Sequence, residues 1–292
     1  MSGTDPGCGG NRVAVSASVR HSASMDDTRG LDPDGTIARE GSPARVAPAF
    51  APVVEAARAR IAAGFGDALH SAYLYGSVPR GTAVPGTSDL DLQLVFREAV
   101  TEEQRAAARR MEADLDAAFD QVDGVGILSG SVHDALSERE RHDFGFFLAC
   151  LCTPLLGEDL ADRLPRYRPT SLLARETNGD LHLVLPRWRE RAARAETADE
   201  RAALGRSVGR RLVRAGFTLV MPLWGGWTSD LGESAEIFGR YHPERLAPMR
   251  VAAAEGRAPS GDPGTLSALI DGLGPWLAAE YRAVHGEKAP RP

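Results

Sequence analysis

Long apolar runs are missing from this 292-residue chain. No stretch approaches the roughly 20 apolar residues that cross a bilayer, so no membrane anchor is expected. No basic segment followed by an apolar one stands near the N-terminus, so no signal peptide is expected either, and a cytoplasmic location is the default expectation. Cysteine is scarce: Cys8, Cys150 and Cys152 form neither a Cys-x-x-Cys pair nor a Cys/His metal spacing. Cys150 and Cys152 lie in the apolar run Phe146 to Cys152 and read as reduced core residues. An excess of positive charge is missing too, since the net charge is −6. Proteins that hold a polyanion display a broad basic surface, which argues against nucleic acid as the substrate. An acidic chain instead attracts polycations through its long-range field. No internal repeat is present. What remains is an ordinary globular composition, 43% hydrophobic and 25% charged, in a chain long enough for two domains with real cores.

Two short stretches stand out. In Asp89-Leu90-Asp91-Leu92-Gln93-Leu94-Val95 the flanking residues favour a strand. A strand sends residues i and i+2 to one face, so Asp89 and Asp91 are expected to point together. Such carboxylates repel unless a cation sits between them, and Mg²⁺ takes a few carboxylates plus substrate phosphate into its shell. Upstream, Tyr73-Leu74-Tyr75 reads as a strand running into Gly76-Ser77 and a short helix that ends near Gly81. Gly76 lets backbone approach a phosphate, and the Ser77 hydroxyl and helix N–H groups donate to it. Either half alone is a weak signal; two solvated aspartates beside a glycine turn would look the same. Both halves together, about a dozen residues apart, are specific.

Around these stretches the periodicity assigns the rest. Residues 1 to 46 have scattered hydrophobics without a lasting period and read as a disordered tail. Phe50, Val53, Val54, Ala57, Ile61 and Phe65 have the spacing of an amphipathic helix. Thr101-Glu102-Glu103-Gln104 matches a capping box that opens a helix to about Phe119, and a third strand follows over Gln121 to Leu128. Beyond that the chain reads as almost wholly helical: Asp143 to Cys152, Leu160 to Asp162, a long helix through Trp188, another from Ala198 to Val220, then shorter ones to about Val284. The expected fold class is α+β, a small mixed-sheet domain over residues 47–150 followed by an all-helical domain over 151–292.

The pairing of Leu-Tyr-Gly-Ser with Ser-Asp-Leu-Asp-Leu resembles the signature of the DNA polymerase β-like nucleotidyltransferase superfamily, and within it most resembles the antibiotic (aminoglycoside-type) nucleotidyltransferases. The resemblance implies a catalytic domain followed by a helical acceptor-binding domain. It also implies Mg²⁺ and ATP as co-substrate, with Gly76 and Ser77 on the triphosphate and Asp89 and Asp91 as metal ligands. One Mg²⁺ would be shared by the two aspartates and the triphosphate, and a second would bring in the acceptor oxygen. Asp123, near the start of the third strand, is the implied third carboxylate, as metal ligand or general base. Asp120 competes with it, and a solvated strand-end residue is the plain alternative. Several relatives carry a longer Glu as base, which puts the base role of Asp123 in doubt.

Basic residues come next. Arg80 lies within the phosphate turn and reads equally as a surface side chain. Arg206, Arg210 and Arg214 share one helix stripe at i, i+4, i+8, with Arg211 beside them. Arg210 is the candidate phosphate contact of this stripe, against a salt-bridged solvated face using Glu190, Glu196, Asp199 and Glu200. Trp224 and Trp227 beside Gly225 and Gly226 are either a stacking wall with Asp230 as an amine partner or plain packing with Asp230 as an N-cap; packing is favoured. Relatives commonly carry a Lys in that region, and this chain does not. His133 and His142 receive no role.

The expected activity is Mg²⁺-dependent transfer of a nucleoside monophosphate, AMP from ATP, onto a hydroxyl of a small, aminoglycoside-like antibiotic. The partners are a nucleoside triphosphate and a small-molecule acceptor, with no membrane, and a homodimer is compatible. Two alternatives stand beside it: a protein-modifying nucleotidyltransferase of toxin–antitoxin type, against which a helical half of about 140 residues argues, and a nucleotide-binding module without turnover.

Overall fold

A computed structural model describes residues 29–291. Helix α1 (Ala51–Phe65) leads into strand β1 (Leu69–Tyr75), a single-turn helix α2 (Ser77–Arg80), strand β2 (Leu90–Phe96), helix α3 (Glu102–Asp116) and strand β3 (Val125–Ser131). After α4 (Val132–Leu136) and α5 (Phe144–Phe146), a wide helical turn over Phe147–Leu151 enters strand β4 (Thr153–Gly157). The sheet has the order β3-β2-β1-β4, with β1 antiparallel to β2 and β4 and with β2 parallel to β3. It is the expected mixed sheet. Thr101 accepts from the backbone of Gln104, whose side chain reciprocates, so the expected capping box opens α3.

Alternation along the strands sorts the two faces. Ala72, Leu74, Leu90, Leu92 and Leu94 bury against Val53, Ala57 and Ile61 of α1 and Leu115 of α3. Tyr73 and Val95 face the other way, onto Leu148, Cys152 and Leu160. Asp91 and Tyr75, opposite each other in the β1–β2 pairing, belong by parity to this second face, on the side of the helical half.

That half comprises α6 (Ser171–Asn178), α7 (Leu181–Arg194), α8 (Ala198–Trp224), α9 (Leu231–Tyr241), α10 (Leu246–Arg257), α11 (Pro263–Ser267) and α12 (Gly274–His285). α8 is its axis, burying Leu204, Val208, Leu212, Phe217 and Val220. A β-carbon on Gly209 would run into the backbone of Gly256, which is how α10 can lie directly against α8. Cys150 and Cys152 are buried free thiols, as expected.

Four expectations change. Residues 153–157, read as lying within the helical half, form an edge strand of the sheet, so the boundary at residue 150 cuts through the catalytic unit. The long helix through Trp188 is broken at Gly179 and Asp180 into α6 and α7. The third strand starts four residues later than the expected Gln121, because residues 121–124 form the turn that enters it. The fourth concerns the tail. Residues 1–28 lie outside the described residues, but residues 29–46 are not a tail. Ile37 is buried in the core of the helical half, its N–H donates to Tyr167 O, and the N–H groups of Glu40 and Ser42 donate to Cys150 O and Pro79 O. The arm satisfies its backbone against other elements rather than within itself, and such a segment shows no period in sequence.

Candidate active site

The Gly-Ser turn is built by backbone necessity. Gly76 takes φ of +80°, a conformation L side chains avoid, and a β-carbon there would strike the Asp91 carboxylate. Two independent reasons therefore select glycine. Ser77 opens α2, Arg80 ends it, and Gly81 closes it in the left-handed region. The loop back to β2 is tied down: Val84 N–H donates to Ser88 Oγ at 2.9 Å, Gly86 N–H to Gln121 O at 2.9 Å and Leu90 N–H to Gly124 O at 2.9 Å. These bonds fix Asp89, one residue before β2, next to the start of β3.

Asp89 and Asp91 are both half-buried. A β-carbon on Gly124 would lie 3.5 Å from Asp89 Oδ1, and one on Gly126 would lie 3.7 Å from Asp91 Oδ1. The two carboxylates thus sit side by side against two glycines at the entry to β3. Burial, and then the negative charge of Asp89, push the Asp91 carboxyl up to about 6, against the opposing pull of Arg210, Arg214 and Arg80. An acid pair held uncomfortably close is the donor set that suits a hard divalent cation, so the residues fit Mg²⁺ as two ligands. Among the described residues no three Asp, Glu, His or Cys side chains gather into a metal-binding cluster.

Asp123 is not gathered with the pair into such a cluster. It lies in the exposed turn before β3, and its N–H donates to Ser88 O. The residues flanking it in parity, Gly124 and Gly126, are the ones that face Asp89 and Asp91. Asp120 is exposed in the preceding turn and does not replace it.

The arginines fare better. Arg80, Arg210 and Arg214 all act electrostatically on Asp91. Arg210 is anchored by Nε donating to Gly256 O at 2.9 Å, and among the described residues its terminal nitrogens make no hydrogen bond. Arg211 is paired with Asp180. Arg214 is exposed on α8 yet has protein atoms crowded around it. The crowding, followed by Arg210, Arg211 and Arg80, lowers its pKa. Nothing places Arg206 among them. The only lysine of the chain, Lys288, is buried in an ion pair with Asp143, so the cations around the Asp pair are arginines. The stripe is thus split between roles, and only its C-terminal part reaches the sheet.

Trp227 is buried, its ring 4.8 Å from Phe146 and 5.7 Å from Phe217. Asp230 caps α9 through Glu233 N–H and pairs with Arg257 at 2.9 Å. Both side chains have packing and capping roles, as favoured. Two residues were not legible as part of the site. Tyr75 lies half-buried opposite Asp91, its hydroxyl pushed up first by burial and then by the Asp91 charge. Glu40, from the arm, meets Arg80 at 3.4 Å. Strand parity could have found Tyr75; no sequence signal marks Glu40.

Residues 65–125 match the family model of the nucleotidyltransferase domain, a span covering β1, the Gly-Ser turn, both aspartates and the entry to β3. No curated protein matches the sequence. Among solved structures, the chain is similar to the crystal structure of spectinomycin adenyltransferase AAD(9) from Enterococcus faecialis with ATP and spectinomycin. The identity is 12%, the match covers 79% of this chain and 98% of that one, and the TM-score is 0.49. The matched segment holds the Gly-Ser turn and the Asp pair that the structure assembles, so residues 65–125 are similar to a nucleotidyltransferase domain in the very residues brought together here.

Proposed function

We propose that the protein transfers a nucleoside monophosphate, AMP from ATP, onto a hydroxyl group of a small polycationic molecule of the aminoglycoside type, releasing pyrophosphate. The observation that carries this reading is the Asp91 carboxylate, side by side with Asp89 and within the electrostatic reach of Arg80, Arg210 and Arg214. A paired carboxylate site next to three guanidinium groups supplies opposite charges for the two things a triphosphate brings, its cation and its phosphate oxygens. Asp89 and Asp91 would hold Mg²⁺, which when bound offsets negative charge at the reacting phosphorus.

The chain's own part is positional. The Gly76 backbone and Ser77 bring the phosphates against α2, and the arginines orient them from the other side. Gly124 and Gly126 place no carboxylate beside the pair, so deprotonation of the acceptor hydroxyl is not assigned to these two positions. The helical half, packed on the same side of the sheet, offers the second wall of an acceptor site, and the net charge of −6 favours a cationic acceptor.

The test is direct. Incubation with Mg²⁺ and each nucleoside triphosphate against a panel of antibiotics, read by mass spectrometry, should give an adduct with the mass of one nucleoside monophosphate on one acceptor class. An adduct found only on protein targets would support the toxin–antitoxin alternative instead.

A further inference from the structure

The N-terminal arm delivers a carboxylate into the arginine cluster. Glu40 contacts both the Gly-Ser turn and the helical half. Its Oε2 lies 3.4 Å from Arg80 Nη1 on the phosphate turn, and its Oε1 accepts a hydrogen bond of 2.8 Å from Trp227 Nε1 of the helical half. Its backbone is held as well, with N–H donating to Cys150 O at 2.9 Å and its carbonyl accepting from Arg45 Nη1 at 2.8 Å. Trp227 is itself wedged between Phe146 and Phe217, so the Glu40 carboxylate has little freedom. The side chain is only 14% exposed, whereas Arg80 is 30% exposed.

We infer that Glu40 is a positioning residue for the triphosphate: anchored by Trp227, it holds Arg80 by one nitrogen and aims its remaining donors at the phosphates beside Asp91. A guanidinium has five N–H donors in a fixed fork, and a single contact to one terminal nitrogen leaves the others available. Without a fixed partner, a long arginine side chain on an exposed turn samples many rotamers, and ordering it is a cost borne at binding. The carboxylate also offsets repulsion between Arg80 and Arg214, which it faces electrostatically, while no phosphate is bound. The inference rests on the nucleotide-binding reading proposed above.

A double-mutant cycle on Glu40 and Arg80 tests it, with calorimetric binding of Mg²⁺ and a non-hydrolysable ATP analogue to the full chain as readout. Glu40→Gln keeps the acceptor for Trp227 and removes the charge on Arg80; it should weaken binding roughly fivefold. Arg80→Ala should weaken it more. The double variant should bind no worse than Arg80→Ala, because Glu40 acts only through Arg80. Trp227→Phe, which keeps the ring and frees the carboxylate, should show a smaller loss that also vanishes in the Arg80→Ala background. It stands in if Glu40→Gln does not fold. Losses that add, or a Glu40→Gln protein that binds as well as or more tightly than wild type, would overturn the assignment; tighter binding would make Glu40 a competitor of the phosphates. If the wild type itself bound no nucleoside triphosphate analogue, the nucleotide reading would fall, and this inference with it.

Discussion

Gly126 stands directly opposite Asp91 in the parallel pairing of β2 and β3, with 3.7 Å between Asp91 Oδ1 and the place a β-carbon would take. The position neighbouring the acid pair is therefore empty of side chain, and it is sterically open to one. Gly126→Asp should fold, lower the melting temperature in chelator and raise it in Mg²⁺. A third carboxylate adds repulsion without the cation and a ligand with it; tightening of Mg²⁺ by roughly tenfold, about 1.4 kcal/mol, is the expected scale. Calorimetric titration of Mg²⁺ into both proteins checks this, and equal affinities would show that position 126 does not face the cation.

Asp91 should make the metal-free protein pH-sensitive. Its carboxyl is pushed up to about 6 from an ordinary 3.8. A carboxyl whose folded pKa is raised contributes stability that is complete below the unfolded pKa and is lost as pH rises through the folded one. In chelator, wild type should therefore lose stability relative to Asp91→Asn between about pH 4 and pH 6, by about 1–2 kcal/mol once partial exposure is allowed for. Asp91→Asn and Asp89→Asn should each abolish transfer. Thermal melts across that range decide the first point and the mass-spectrometric assay the second.

Arg214 should matter to nucleotide affinity more than its neighbour Arg211, which is already paired with Asp180. Arg214→Ala is expected to raise the apparent KM for the triphosphate by an amount equivalent to roughly 1.5–3 kcal/mol, the range for hydrogen bonds to charged groups, and to reduce the salt sensitivity of binding. Steady-state kinetics at two ionic strengths measure it. No change would return the C-terminal part of the stripe to a structural role.

Ile37 tests the arm. It is 4% exposed and belongs to the core of the helical half. Ile37→Ala should cost about 2–4 kcal/mol of stability, the usual range for a buried aliphatic truncation. Urea unfolding with an unchanged m-value would report it cleanly; a cost below about 0.5 kcal/mol, typical of surface sites, would mean the arm is dispensable.

How far the sequence reached is clearest at particular residues. Asp89 and Asp91 were legible because strand alternation is local, and Gly76 because a turn against a carboxylate tolerates nothing else. The capping box at Thr101 and Gln104 was legible for the same reason, since its partners are three residues apart. The place of Asp123 was not legible, because it lies in the turn before β3 and the strand's register decides that Gly126 stands opposite Asp91. Register comes from the Asp91–Gly126 pairing across strands, not from residue types. β4 was missed because Thr153–Gly157 is a short edge strand whose partner, β1, lies some eighty residues earlier.

Composition, periodicity and two short motifs by themselves determined the α+β class, the Gly-Ser turn and the acid pair, since each depends on neighbours a few positions away. Tertiary structure alone decided that Arg214 acts electrostatically on Asp91 and that Glu40 reaches Arg80 and Trp227 across 40 and 187 positions of sequence. Such contacts form only when separate elements pack, and the chain segment that carries Glu40 takes its shape from its neighbours rather than from its own residues.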